Sequence, residues 1–263
     1  MEKTETPALD LIATNFGTVK KQAYDLAVLP WGATEPHNYH LPYMTDCILS
    51  HDVAVDAARL AYERAGVRCM VMAPVPFGAQ NPGQKRLPFC VHTRLTTQEA
   101  ILRDIVSSLY VQGIRRLAIV NGHGGNNFKG MIRDLAFDYP DFLITCSDWF
   151  AIIPTAGYFD ERIDDHAGEQ ETSVMMHYHP ELVDLSMAGS GMSHPFAVDS
   201  LNRKVAWTPR RWDKSSDDTG IGDPRKSTAE KGARYAADVA DALATLFVEL
   251  TTQPLYDRYQ YAQ

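Results

Sequence analysis

The apolar run Leu26-Ala27-Val28-Leu29-Pro30 leads directly into Trp31-Gly32-Ala33-Thr34-Glu35-Pro36-His37-Asn38-Tyr39-His40-Leu41-Pro42-Tyr43-Met44-Thr45-Asp46. A short uninterrupted apolar run reads as a buried strand, and open α/β sheets carry their chemistry on the loops that leave such strands. Glu35 and His37 stand two residues apart, with Pro36 between them. Proline biases the residue before it toward extended backbone, in which side chains at i and i+2 point the same way. Asp46 returns a second carboxylate after the turn holding Pro42. Carboxylate oxygens beside imidazole nitrogens suit Zn, Mn or Fe rather than Ca or a thiolate-bound metal. A merely solvated loop fits the same residues, so a second cluster has to decide.

Outward from this loop, strand and helix alternate. Ser50 to Ala65 has helical apolar spacing and ends at Gly66, a natural C-cap; Cys69 to Val75 reads as a second strand. Pro76 to Arg94, rich in Pro, Gly, Gln and Asn, reads as a long loop. Thr96-x-x-Glu99 has the form of a capping box and opens a helix that runs to Gly113. Arg116 to Val120 is a third strand, Asn127 to Tyr139 a helix, and Phe142 to Cys146 a fourth strand. This order predicts an α/β fold with a mostly parallel sheet covered by helices on both faces. Beyond it come an aromatic-rich loop from Trp149 to Asp165, a short helix from Glu169 to Tyr178, and a weakly periodic segment from Asp184 to Ser227. A final helix to about Leu250 is signalled by Ser227-x-x-Glu230.

The 263 residues fit one domain spanning 1–263. The composition, 45% hydrophobic and 22% charged, is that of an ordinary globular protein. A net charge of -8 and a pI near 5.6 argue against nucleic-acid or anionic-membrane partners, which are bound through clustered Lys and Arg. Met1 to Asp10 lacks a signal-peptide layout and no run of about 18 apolar residues marks a span, so the expected location is cytoplasmic. Cys47, Cys69, Cys90 and Cys146 form no C-x-x-C pair and are expected to be reduced.

Two further clusters follow. Asn121-Gly122-His123-Gly124-Gly125-Asn126-Asn127 sits between the third strand and a helix, where it presents His123 beside Glu35, His37 and Asp46. It lacks the Lys of a Walker loop and the spacing of a dinucleotide fingerprint, which weakens a nucleotide-binding alternative. Asp165-His166-Ala167-Gly168-Glu169-Gln170-Glu171-Thr172-Ser173 leads into a helix. Carboxylates in a first helical turn are favoured by the dipole, so Glu169 and Glu171 also fit a capping role, Glu171 the better of the two.

Together, Gly32-Ala33-Thr34-Glu35 through His37, His40-Leu41-Pro42 and Thr45-Asp46, then Asn121-Gly122-His123-Gly124-Gly125-Asn126 and His166-Ala167-Gly168-Glu169-x-Glu171-Thr172-Ser173, resemble the creatininase (creatinine amidohydrolase) family. Gly220-x-Gly222-Asp223-Pro224 and Thr228-Ala229-Glu230-Lys231-Gly232 resemble its late motif. The resemblance implies a three-layer α/β/α sandwich, two divalent metal ions (Zn, Mn or Fe), hydrolysis of a C–N bond in a small cyclic or linear amide, and a homo-oligomer, commonly a hexamer. It implies Glu35 and His123 on one metal, His37 on the other, Asp46 bridging, and His166 delivering a proton to the leaving nitrogen. Creatinine hydrolysers of the family carry a Glu two residues after the glycine-loop His, where this chain has Gly125. That departure points to the glycine-loop subtype, which includes formamide hydrolases and a peptide-trimming enzyme of cofactor maturation. A non-catalytic metal-binding oligomer is the remaining alternative.

Without a carboxylate at position 125 the second metal would hold only His37 and Asp46, whereas catalytic Zn sites keep three protein ligands. Glu169 lies three residues after His166, the same face of a helix, and is expected to complete the site as metal ligand and catalytic residue. Glu171 is expected to turn elsewhere and pack. The segment from Asp184 to Ser227, with Trp207, Trp212, Arg203, Lys204, Arg210 and Arg211, is expected to lie between subunits.

Overall fold

In the computed structural model, which describes residues 7–255, four strands form one parallel sheet: β1 (Leu26–Trp31), β2 (Cys69–Val71), β3 (Arg116–Asn121) and β4 (Leu143–Asp148), in the order β2-β1-β3-β4. Met1 to Thr6, part of the stretch read above for a signal peptide, lie outside the described residues. The helices are α1 (Phe16–Val19), α2 (Thr45–Ala65), α3 (Leu95–Val111), α4 (Phe128–Asp138), α5 (Glu169–Tyr178), α6 (Asp199–Asn202), α7 (Trp212–Ser215) and α8 (Ala229–Thr252).

β1 is buried along its whole length because it feeds two cores. Leu26 and Val28, with Ala118 and Val120 of β3, pack against α2, α5 and α8 through residues such as Val53, Val174 and Leu243. Ala27, Leu29 and Trp31, with Leu117 and Ile119, pack against α3 and α4 through Leu102, Val106, Met131 and Leu135. Alternation along a strand thus serves both faces, and the result is the expected α/β/α sandwich. Among the described residues no helix is long and apolar enough to cross a membrane.

The strand order positions the site. From β1 the chain crosses to β2 on one side, and from β2 it returns to β3 on the other, so the order of strand addition reverses between β1 and β3 while all strands stay parallel. Ligands of open α/β sheets bind outside the carboxyl ends of the strands at such a switch point. Both the Glu35 loop and the glycine loop leave the sheet there.

Several boundaries differ from the sequence reading. α2 starts at Thr45 rather than Ser50, which places Asp46 in the first turn of a helix. α3 begins at Leu95 with Arg94 as N-cap and no side-chain cap bond, so Thr96-x-x-Glu99 does not act as a capping box. α8 is capped one residue later than expected, by Thr228, whose side chain accepts from Lys231 N. The second strand ends at Val71, although Val75 still bridges to Trp31.

The segment from Asp184 to Ser227 contains only short helical pieces but is stitched to its own subunit. Buried Asp218 accepts from Gly191 N and Gly220 N, and Asn38 accepts from Gly189 N while its own N–H donates to Thr219 Oγ1. Trp212 is buried within the subunit, whereas Trp207 is 84% exposed.

Candidate metal centre

Three segments converge at the switch point. In the first, Glu35 and His37 lie on the loop that leaves β1, and Asn38 follows at φ 54, the left-handed region. Both side chains are buried, as is Asp46 at the start of α2. The approach of α2 is close: a Cβ on Gly122 would stand 2.2 Å from the Asp46 carbonyl, so only glycine fits there.

In the second segment, asparagines hold the glycine loop. Asn121 Nδ2 donates to Asp148 Oδ1 and to the His123 carbonyl, and Asn126 Nδ2 donates to Asn121 Oδ1 while its Oδ1 accepts from Ala79 N. Gly125 seats against the Ala79 carbonyl: a Cβ there would lie 2.1 Å from that oxygen and 2.5 Å from His123 Nε2. The position therefore has no room for a glutamate side chain.

The ring orientations follow from the partners each imidazole has. His123 Nε2 lies 2.8 Å from the Ala79 carbonyl, an acceptor only, so it donates there and Nδ1 faces Glu35 and Asp46. His37 Nδ1 lies 3.1 Å from the Glu35 carbonyl and donates to it, which turns Nε2 toward Asp46 Oδ1 at 2.9 Å. His166 Nε2 donates to the Pro36 carbonyl at 3.0 Å, which turns Nδ1 inward, 3.8 Å from Glu35 Oε1.

Glu35 Oε1 and Asp46 Oδ2 are buried and make no hydrogen bond, although His123 Nδ1 lies 2.9 and 3.2 Å from them. Orphaned buried carboxylate oxygens are costly, and this pattern arises when ligand atoms converge on a shared point rather than on one another. Among the described residues three groups satisfy the spacing for a metal ion: Glu35, Asp46 and His123, and His37, Asp46 and Glu171, which share Asp46, and a third of Glu35, His37 and His166. The donor set, carboxylates and imidazoles, is that of Zn, Mn or Fe. Electrostatics agree. Burial would push both carboxyls up, but His123 and His166 hold Glu35 below its ordinary value, and His37 with His123 hold Asp46 well below. Burial would lower His37, yet Asp46, then Glu171 and Glu35, raise it to about 9. These are carboxylates that keep positive charge beside them.

Glu169 belongs to none of the ligand groups. Its carboxylate is fully buried on the far side of the α5 terminus, where it pairs with Lys231 Nζ and accepts from the backbone N–H groups of Asp160 and Glu161 at 2.8 and 2.6 Å. The expectation that Glu169 faces the metal site, and Glu171 turns away from it, is reversed in this structure. The physical reason is that His166 is not helical. It pairs with Ile221 through backbone hydrogen bonds, and Ala167 at φ 50 and Gly168 redirect the chain before α5 begins at Glu169. The i, i+3 relation therefore does not connect His166 with Glu169. Glu171 instead reaches in, with Oε2 accepting from Ala167 N at 2.6 Å, and burial lifts its carboxyl above the ordinary range despite His37 and His166.

Two contributors escaped the sequence reading. Gln84, from the long loop after β2, donates Nε2 to Glu35 Oε2 at 2.6 Å and thereby fixes which oxygen faces His123. Trp212 sets its ring edge-on to His166, with centroids 5.3 Å apart. Neither belongs to a motif, and contacts this distant in the chain leave no periodic signal. Beside the ligand groups lies a cavity of about 160 Å³ bordered by His123, Phe150, Thr155, Asp164, His166 and Gln170. A larger apolar cavity of about 460 Å³, between β1 and α3, holds no ligand cluster.

The family model described as creatininase, creatinine amidohydrolase, matches residues 10–247. A mycofactocin precursor peptide peptidase of Mycobacterium ulcerans (strain Agy99) is 27% identical over 259 residues, 94% of each chain. A creatinine amidohydrolase of Pseudomonas putida is 26% identical over 190 residues, 65% of this chain and 70% of that one. A crystal structure from Bacteroides fragilis NCTC 9343, provisionally named a creatinine amidohydrolase, is 64% identical with a TM-score of 0.94, covering 96% of this chain and 100% of that one. A creatininase crystal structure superposes with a TM-score of 0.76 at 19% identity over 95% of this chain and 100% of that one, a likeness of fold. With the family model spanning the sheet and all three converging segments, the chain belongs to the creatininase (creatinine amidohydrolase) family.

Proposed function

We propose that the protein is a metal-dependent amidohydrolase that cleaves the C–N bond of a small amide at a binuclear centre. Glu35 and His123 would hold one ion and His37 and Glu171 the other, with Asp46 belonging to both ligand groups. The observation that carries this assignment is the pair of ligand groups sharing Asp46, with Glu171 replacing the carboxylate that Gly125 excludes. Solved creatininases named for manganese and for a Zn-Zn form support either metal as the occupant.

Two divalent cations there would supply the Lewis acidity that lowers the pKa of a bound water toward neutrality. The chain's own groups do the rest. Gln84 and the Ala167 N–H orient the two outer carboxylates, and the Ala79 and Glu35 carbonyls orient His123 and His37. Such outer partners fix ring orientation and ligand basicity. His166, anchored through Nε2 on Pro36, keeps Nδ1 free to hand a proton to the leaving nitrogen.

The Bacteroides fragilis relative favours creatinine or a related cyclic amide; the match to mycofactocin precursor peptide peptidases along 94% of the chain favours a short peptide, as does Gly125. A panel of creatinine, formamides and short peptides separates these substrates. Elemental analysis should find two ions per chain in the wild type, one in Glu171→Gln, and none in Asp46→Ala, which should also lose hydrolysis while keeping its far-UV spectrum. Full turnover after chelation would refute the proposal. We further propose a homo-oligomer in which a second copy covers Trp207 and Val205, left 84% and 72% exposed. A monomer in sedimentation at micromolar concentration, metal present, would exclude it.

A further inference from the structure

Granted the proton role proposed above for His166, we propose that Trp212 is the positioning residue of that proton donor, and that the late segment around it exists to seat the His166 ring. An imidazole has a broad, roughly two-fold χ2 torsion, so a ring that must present Nδ1 rather than Nε2 needs contacts on both sides. On one side His166 meets His37 at a centroid distance of 4.3 Å. On the other it meets Trp212, at 5.3 Å and an interplanar angle of 87°, one of the geometries aromatic pairs prefer.

The same short stretch holds the rest of the seat. The Trp212 indole N–H donates to the Thr219 carbonyl at 3.2 Å. Thr219 Oγ1 lies 3.5 Å from the Pro36 carbonyl, the oxygen that also accepts from His166 Nε2, and it accepts from Asn38 N at 2.9 Å. Ile221 exchanges backbone hydrogen bonds with His166 at 3.0 and 2.7 Å. Arg210 lies over the Trp212 ring at 5.0 Å and pairs with Asp165, the residue before His166. Backbone, anchor oxygen and ring wall of His166 are therefore all contributed or braced by residues 210–221. Trp212 and His166 are both buried.

The test uses the full-length, Zn-loaded protein with ¹⁵N-labelled histidine. In the wild type the His166 ring, identified by its loss in His166→Asn, should give one slowly exchanging Nε2–H signal. Trp212→Phe, which keeps the ring edge and removes the indole N–H, should retain it. Trp212→Ala should lose it to exchange between ring orientations while still binding two ions. Kinetics then compare an alkylamide and a p-nitrophenyl ester of the acyl group that the substrate panel identifies, because a phenolate leaves without needing a proton. Trp212→Ala should lower kcat on the amide by roughly 10- to 100-fold, part of the range general acid catalysis spans, with KM and ester turnover little changed. An unchanged His166 signal in Trp212→Ala, or equal losses on amide and ester, would overturn the positioning role. If His166→Asn itself slows amide and ester equally, the proton role falls and takes this inference with it. Should Trp212→Ala fail to fold, Trp212→Leu and Thr219→Val decide by the same signal.

Discussion

Replacing Glu169 by Gln separates a structural carboxylate from a metal ligand of the same motif. The substitution keeps shape and removes charge. In the wild type one carboxylate oxygen faces Lys231 Nζ and the other accepts two backbone N–H groups, from Asp160 and Glu161. An amide offers one acceptor and one NH₂, so in either orientation a donor meets a donor: the ammonium or the pair of N–H groups. Glu169 is fully buried, and leaving buried partners unsatisfied costs several kcal/mol. Lys231 is 22% exposed and keeps Asp160 Oδ2 and the Lys226 carbonyl, which discounts its share. The expected loss is about 2–4 kcal/mol, a fall in Tm of roughly 5–15 °C for a chain of this size. Thermal unfolding monitored by circular dichroism, with elemental analysis of the same sample, reads both properties. Lower Tm with two ions retained is the expected result. A wild-type Tm with one ion lost would refute the reasoning and return Glu169 to the metal.

Gly125→Ala should weaken binding of the ion proposed for Glu35 and His123 more than the other, since its Cβ would crowd the Ala79 carbonyl and His123 Nε2. Overpacking of this kind costs about 1–3 kcal/mol, and wild-type affinity in a Zn titration would rule it out. Asp164, by the cavity, is lifted from 3.8 to about 7, chiefly by burial and, against the Gln170 N–H, by the nearby Glu169, Glu161 and Asp165 carboxylates. A carboxyl raised on folding contributes stability that is fully present below its unfolded pKa and lost as pH rises through the folded one. Asp164→Asn should therefore raise Tm relative to the wild type near pH 8 and leave it little changed near pH 4; a pH-independent difference would contradict this assignment.

What the chain by itself determined was local. Unbroken apolar runs such as Leu26 to Pro30 and Leu117 to Val120 suit a strand covered on both faces, and their alternation with helices points to a parallel sheet. The convergence of Glu35, His37, Asp46 and His123 was equally legible, since loops leaving adjacent strand ends of a doubly wound sheet meet. Which glutamate of Glu169 and Glu171 turns inward was not. That choice depends on the backbone at Ala167 and Gly168 and on the pairing of His166 with Ile221, a partner far along the chain. A helical spacing rule applied across that break pointed to Glu169. The roles of Gln84 and Trp212 are likewise set by long-range contacts, because an irregular segment takes its shape from what it packs against rather than from its own periodicity. Tertiary structure alone decided that Lys231 on α8 claims one carboxylate and leaves the other to the centre.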